Sequence, residues 1–557
     1  MYQSRFKKNH SGIVFTVLCA LVLIISSPFG MGSVAESNAA KFDDNLEFDP
    51  GTEEDREALF DYLVEITMER DAFASLTEHP VHREHPAGID VVAEMEKYRE
   101  DLIQADNDKD MWLALWKLSN VRQDRHLRVY EIDEGLDVPD EMQEDLRAPI
   151  RFRTDYSDED ERFLFVRDFS TDIENHVDEV PELGDRLISI NGQDATEYIE
   201  EFRIYHHASM EDPYWWEVAG EITRTRDRVS HEKFYDEDLE VLSLGLQRRD
   251  GTTYEIDLPY FERGSIEWQG HDEREYPGFS SVPEFEGEYN TYRAFYVADD
   301  EDLPVVILDW ARFDGDLIEA MDYLIEYADE NDLLDHHVIV DATRSGGGSN
   351  GAYALARLQS EKFRTTGHNM KVSDLSESWI RSRLDRWEEN PPEHEPGQNP
   401  VYEKEWAETE AVKAFENDNY YTRTVPFKGV QPTWGDRFIK PADRHFTGGL
   451  TVWLNPQGGS HLDQFASQVV DNNIGHLMGM PTGGFSNSWQ ASETLKFPTT
   501  GKPIVDYQWS MGHSIRPNDE ILQYNPAQPH EYIPVTRNNY FDYYPMMLDK
   551  TLERLEH

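Results

Sequence analysis

Three stretches carry residue types that could do acyl-transfer chemistry. The first, residues 451–484, reads TVWLNPQGGSHLDQFASQVVDNNIGHLMGMPTGG. Its apolar run Val452, Trp453, Leu454 has the length of a buried strand, and Pro456, Gly458 and Gly459 break it. From Ser460 onward Leu462, Phe465, Val469 and Val470 recur at helical spacing, so Ser460 falls where a strand gives way to the first turn of a helix. A hydroxyl there lies beside unpaired N–H groups and the positive end of the helix dipole, conditions that stabilise an alkoxide or an oxyanion. The same spacing fits a purely structural role, because Ser460 and Asp463 form an S-x-x-D capping box.

The second stretch, DATRSGGGSNG from Asp341, follows the strand-like Val338, Ile339, Val340 and precedes a helical pattern from Ala352 to Leu358. Gly346, Gly348 and Gly351 spell G-x-G-x-x-G, but charged and polar residues follow where a dinucleotide site needs a second strand closing in an acid. Gly347, Ser349 and Gly351 spell G-x-S-x-G. A nucleophile elbow places its serine immediately after the strand, and Ser349 lies well past Val340. A third reading is that the glycines bare backbone N–H groups to a ligand, because no side chain blocks the approach. The third stretch, LSNVRQDRHLRVY from Leu118, is a polar loop that reaches His126 and passes into an alternating strand. An imidazole ionises near neutral pH and suits a proton shuttle, though a histidine at such a junction is equally an ordinary polar residue.

These stretches need a scaffold. Residues 1–40 hold Arg5, Lys7 and Lys8, an apolar core from Ile13 to Ile25 and small residues up to Ala35 and Ala40, the pattern of a secretory signal peptide. The apolar core is short for a membrane span, so a secreted or periplasmic protein without a span after cleavage is expected. The only cysteine, Cys19, lies in this segment, so the mature chain has no disulfide. A formal charge of −59 disfavours nucleic acid as a partner, because phosphate contacts need Lys and Arg. Residues 41–149 read as a helical domain ending in the His126 stretch, with Leu59, Tyr62, Leu63 and Ile66 on one face and Trp112, Leu115 and Leu118 on another. Asp106, Asp108 and Asp110 imitate a calcium loop, but Met111 and Lys117 occupy the places that need glycine and a bidentate acid, so no metal site is expected. Residues 150–262 read as a β module, with a turn at Asn191-Gly192, a hairpin at Asp250-Gly251 and an insertion carrying Trp215 and Trp216. Residues 263–557 alternate strand and helix, the mark of a crossover-connected sheet, with an inserted subdomain at about 361–446.

Taken in register, these pieces resemble the tail-specific, or carboxy-terminal-processing, serine peptidase family. Asp124, His126 and Leu127 resemble its D-G-H-L/T motif, and LGDRLISING from Leu183 is similar to the end of its PDZ module. The Asp341 to Gly348 stretch resembles its D-L-R-x-N-x-G-G turn. Gly459 and Ser460, Asp471 and Asn472, and GMPTG from Gly479 resemble its nucleophile helix and following strand end. Phe485 stands where lysine-dependent members place a lysine. The resemblance is therefore to the tricorn-like and chlamydial-secreted-protease-like Ser-His-Glu branch, and it implies an α/β core of the ClpP/crotonase kind with a PDZ-like β module.

It further implies Ser460 as nucleophile, His126 as general base and Glu520 as the acid that orients it. The backbone N–H groups of Gly347 and His461, with Gly346, would form the oxyanion hole, and Leu187, Ile188 and Ile190 would meet an extended peptide. A protein or peptide substrate and no cofactor are implied, and oligomerisation is left open. Arg125 and Ser345 depart from the family's usual glycine and asparagine, and the PDZ carboxylate-binding loop is not recognisable. Two other readings stand: a non-catalytic ligand- or peptide-binding protein on the same scaffold, and an α/β-hydrolase esterase using Ser349. His461 is also an alternative base.

Overall fold

Thr52 starts the first helix with both halves of a capping box, its hydroxyl taking the Asp55 N–H while the Asp55 carboxylate takes the Thr52 N–H. That helix, α1 (Glu53–Arg70), buries Leu59, Leu63 and Ile66 in one cluster with Met111, Trp112, Leu115 and Leu118 of α2 (Asp108–Asn120). The computed structural model describes residues 48–74, 86–138, 146–225, 241–271, 274–282, 293–313, 316–393, 400–427, 434–487 and 489–556. The expected signal peptide lies outside these residues. Among them, no helix is long and apolar enough to cross a membrane.

The β module is an antiparallel sheet in the order β1 (Ile150–Asp155), β2 (Phe163–Phe169), β3 (Arg186–Ile190), β4 (Val241–Gln247), β5 (Thr253–Pro259). After β3 the chain turns at Asn191 and Gly192, both at positive φ, and enters α3 (Ala195–Phe202), which Asp194 caps. Such left-handed pairs match the twist of the strands they join. The insertion holds α4 (Glu211–Glu221), whose Tyr214, Trp215 and Trp216 are buried.

The C-terminal half is built on a seven-stranded sheet. Its order is β6 (Phe279–Ser281), β7 (Arg293–Ala298), β8 (Val305–Trp310), β9 (His337–Asp341), β10 (Leu450–Leu454), β11 (His476–Gly479), β12 (Glu531–Tyr532). The first three pair antiparallel and the last five parallel. Every residue of β8, β9 and β10 is buried, as a parallel sheet covered on both faces requires. Helices α5 (Leu317–Glu330), α6 (Gly351–Leu358) and α7 (His461–Asp471) lie on the connections between parallel neighbours, which makes this the expected crossover α/β core. The chain between α6 and β10 has its own buried cluster around Trp387, Tyr402, Trp406 and Phe415.

A buried charge network fixes the end of β9. Asp309 and Asp341 face each other in register on adjacent strands, 5% and 0% exposed. Two carboxylates so placed repel, and burial first, then Asp341, pushes the Asp309 carboxyl up. Arg274 bridges them, at 2.9 Å from Asp309 and 3.2 Å from Asp341, and the Tyr276 hydroxyl donates to Asp341 at 2.6 Å. The other Asp341 oxygen takes the Thr343 N–H and hydroxyl and so starts the turn that leaves the strand. Removing one partner from a buried pair strands the other charge. Arg274→Met is expected to lose about 3–5 kcal/mol in urea unfolding at pH 7, and less as the pH is lowered and the raised Asp309 carboxyl takes a proton.

Candidate active site

Strands β9 and β10 are parallel neighbours, with Asp341 opposite Trp453, so the loops that leave their C-terminal ends share one space. Open α/β sheets bind ligands at such ends. Ser460 follows β10 as the residue before α7, with φ 56° and ψ −117°. A left-handed φ on a residue with a Cβ costs on the order of 1–3 kcal/mol and persists only where the surroundings enforce it. The Ser460 N–H donates to the Phe485 carbonyl at 2.6 Å, and the Ser460 carbonyl takes the Gln464 N–H at 3.3 Å. Its hydroxyl makes no capping bond, so the capping-box role is not served. Asp463 instead turns away to accept the Thr482 hydroxyl and the Gly484 N–H.

Gly347 explains the crowding. A Cβ there would lie 2.5 Å from the Ser460 Cβ, 2.9 Å from its Oγ and 3.3 Å from the His461 nitrogen. Only glycine lets this backbone reach the serine. Gly346 spends its N–H on the Ala311 carbonyl at 3.4 Å, so it is not placed as a second donor. The His461 side chain accepts the Gly351 N–H on Nε2 at 2.8 Å and packs beside Phe313 and Phe427. That bond occupies the nitrogen a base would use.

His126 reaches this place because its loop is tied to the C-terminal half. Val129–Tyr130 pairs antiparallel with the strand Pro503–Ser510, Arg122 donates to the Gln508 carbonyl at 2.6 Å, and the Tyr524 hydroxyl donates to the Arg122 carbonyl at 2.7 Å. Asp124, 2% exposed, takes the His126 N–H at 3.0 Å and stands 3.4 Å from its Nδ1. The imidazole lies 5.6 Å from the Phe485 ring, and that ring fills the space a Cβ on Gly459 would need. Phe485 is thus the common neighbour of His126 and Ser460. Neither ring nitrogen of His126 makes a hydrogen bond, so no bond to Ser460 is formed in this structure.

The Arg125 guanidinium lies 4.9 Å from the centre of the Phe485 ring and pairs with Glu217 of α4 at 2.5 Å, tying the β module to the same spot. Asp463, 0% exposed, adds a buried carboxyl. Burial raises its pKa to about 6, and the Thr482 and Gly484 hydrogen bonds and the charge of His126 oppose that rise.

Glu520 is not brought to His126. It is exposed, in a turn where it accepts from the Asn518 and Asn525 side chains. Leu187 and Ile190 are sealed in the core and only Ile188 is partly exposed. Their strand β3 is paired on both sides, so it offers no edge to a peptide. Ser349 lies in the loop before α6, its N–H on the Phe313 carbonyl, not on a tight strand-to-helix elbow. Phe485, Arg125, Asp124 and Asp463 are the residues sequence reasoning passed over as site members. Two carry a signal in the sequence: Asp124 as part of the His126 motif, and Asp463 as a charged residue on a largely apolar helix.

No protein-family model and no curated protein matches the sequence. Among solved structures, mature CPAF matches with a TM-score of 0.62 at 15% identity, covering 89% of this chain and 96% of that one. The structure of mature CPAF complexed with lactacystin matches with a TM-score of 0.62 at 15% identity, covering 89% and 97%. The fold is that of mature CPAF. The likeness spans the helical segment, the β module and the α/β core together, since only that much chain fills such coverage.

Two outcomes follow from the geometry. Ser460→Gly should relieve the strained backbone and raise stability by about 1 kcal/mol, while Ser460→Ala, which loses no cap bond, should melt with the wild type. Differential scanning calorimetry of the two variants checks this. For Asp463, the folded chain holds its proton to higher pH than the unfolded chain, so stability falls as pH rises from about 4 to about 6. The rise from 3.8 to about 6 corresponds to about 3 kcal/mol. Asp463→Asn should flatten the melting temperature across that window and stabilise the protein at pH 7.

Proposed function

We propose that the chain is a serine endopeptidase acting on protein substrates, secreted or periplasmic as its N-terminal segment implies. The observation that carries this reading is the Ser460 hydroxyl. It is unspent on capping, held on strained backbone in the loop after a parallel strand, and pressed against the Gly347 main chain. The fold of CPAF, a chlamydial protease, supports the same reading.

In this mechanism Ser460 Oγ attacks the peptide carbonyl while His126 takes its proton, and the imidazolium then protonates the leaving amine. Water hydrolyses the acyl-enzyme by the reverse relay. Asp124, beside Nδ1, holds the ring's orientation and steadies its charge, in the role expected of Glu520. The Gly347 N–H, which makes no hydrogen bond among the described residues, and the His461 N–H point to the developing oxyanion. The Ser460–His126 bond forms when substrate fills the site, since such bonds are often loose before binding. Phe485 in the lysine position, and Lys502 committed to the Asp49 carbonyl, leave a Ser-Lys dyad without its amine.

The open Ser460–His126 contact also favours a second reading, a non-catalytic peptide-binding protein, and one experiment separates them. A fluorophosphonate probe should modify Ser460, as peptide mapping would show. His126→Ala should lower both labelling and casein turnover by about a thousandfold or more. Asp124→Asn should fall between the two, and Glu520→Gln should keep the wild-type rate. An unlabelled Ser460 in folded protein would leave the binding reading.

A further inference from the structure

In a chain with 111 acidic and 52 basic residues, the cavity beside the Gly347 turn is lined by five arginines, Arg153, Arg167, Arg274, Arg312 and Arg344, against two acids, Glu275 and Asp542. It holds about 710 Å³ between the β module and the α/β core. Arg153, Arg167 and Trp216 face it from the module, and Arg312, Arg344 and Gln457 from the core. Arg344 has its carboxylate in Asp309. Arg153 has none. Its guanidinium lies 3.9 Å over the Trp216 ring and 5.8 Å from the Tyr540 ring, its one side-chain hydrogen bond is to the neutral Tyr540, and its buried Nε makes none. Burial and the neighbouring Arg167 hold its pKa below the usual guanidinium range, the opposite of what an acidic partner would do. A half-buried cation facing a second cation, with no carboxylate of its own, is a site for an anion from elsewhere.

The cavity's position says where that anion comes from. Arg344 is in the same turn as Gly347, and Gln457 is in the loop that runs into Ser460. Three extended residues span about 10 Å, so the cavity lies within about three peptide residues of the serine hydroxyl. Its volume far exceeds a lone inorganic anion, and its aromatic walls suit a side chain arriving on a peptide. The planar fork of arginine matches a carboxylate. The surrounding field of −59 repels acids at long range, so only a local cluster of guanidinium groups can hold one.

We propose that this cavity is a specificity subsite for a glutamate or aspartate side chain of the peptide substrate, within about three residues of the scissile bond, with Arg153 as its anchor. This rests on the peptidase reading, and the test keeps the two apart by measuring binding as well as turnover.

Full-length Ser460→Ala protein is titrated with labelled, C-terminally amidated peptides that carry Glu or Gln at each scanned position. The Glu peptide should bind at least about tenfold tighter at one position. Adding Arg153→Gln should erase that ratio while leaving Gln-peptide binding and the melting temperature unchanged, and Arg153→Lys should keep part of it. The exposed Arg312→Gln serves as a second variant and should reduce the ratio in the same direction. Equal binding of Glu and Gln peptides overturns the proposal, as does a variant that weakens both alike. A preference seen only with a free C-terminus would assign the cavity to the terminal carboxylate, and competition by millimolar inorganic phosphate against both peptides would assign it to a free anion. Either result overturns the side-chain assignment. A Glu preference in binding without wild-type turnover sinks the peptidase reading and keeps the subsite.

Discussion

The contact between Gly347 and Ser460 is the constraint on which the rest of the structure depends. Strands β9 and β10 end side by side, so the chain leaving each must pass through one small volume. The first chain manages it by having no side chain at Gly347, the second by accepting a left-handed φ at Ser460. Each accommodation is enforced from below. Asp341 starts the glycine turn and is held by Arg274 and Tyr276, while the Phe485 carbonyl holds the Ser460 N–H and its ring fills the space over Gly459. The strain is stored where a nucleophile would use it, and the buried salt network beneath supplies the stiffness to keep it there.

The parts of this arrangement that were legible in the sequence are those that bury both faces of an element. Val305 to Trp310, Val338 to Val340 and Val452 to Leu454 read as core strands because a covered parallel sheet is nearly all apolar; Asp309 is the exception, and it is paired with Arg274. The Asn191-Gly192 and Asp250-Gly251 turns were legible because they need the backbone freedom that those residues have. Side-chain convergence was not. An acid sixty residues beyond a serine has no local signature, and Glu520 differs from Asp519 only by which neighbours the fold provides; it met asparagines. Asp124 stands out in the sequence only as part of the His126 motif, although its carboxylate is the one beside the imidazole. Leu187 and Ile190 had the alternation of a strand, but alternation does not say whether the strand lies at an edge or in the middle.

Charge is distributed unevenly. The acidic excess sits largely where water can solvate it, whereas the arginines are concentrated at seams between segments: Arg122 and Arg125 in the His126 loop, Arg274 under the glycine turn, Arg516 against Asp471. A guanidinium with several fixed donors can answer two or three segments at once, which a lysine ammonium does less specifically. With no cysteine among the described residues, such junctions do the tying that a disulfide does in other folds.

Arg125 has a consequence for how this chain can be taken apart. Its guanidinium covers the ring of Phe485, whose carbonyl holds the Ser460 N–H, while its other contact is Glu217, on a helix of the β module. On the same segment, Met210 fills the space beside Gly484 and Ser209 receives a long bond from Gln523. The module is therefore a wall of the cleft as much as a neighbour of it. Excising residues 146–262 would not leave an intact α/β core; it would uncover the loop that bears Ser460. Evolution of this chain by swapping modules would have to carry the insertion, and its glutamate, along with the loop that bears the histidine.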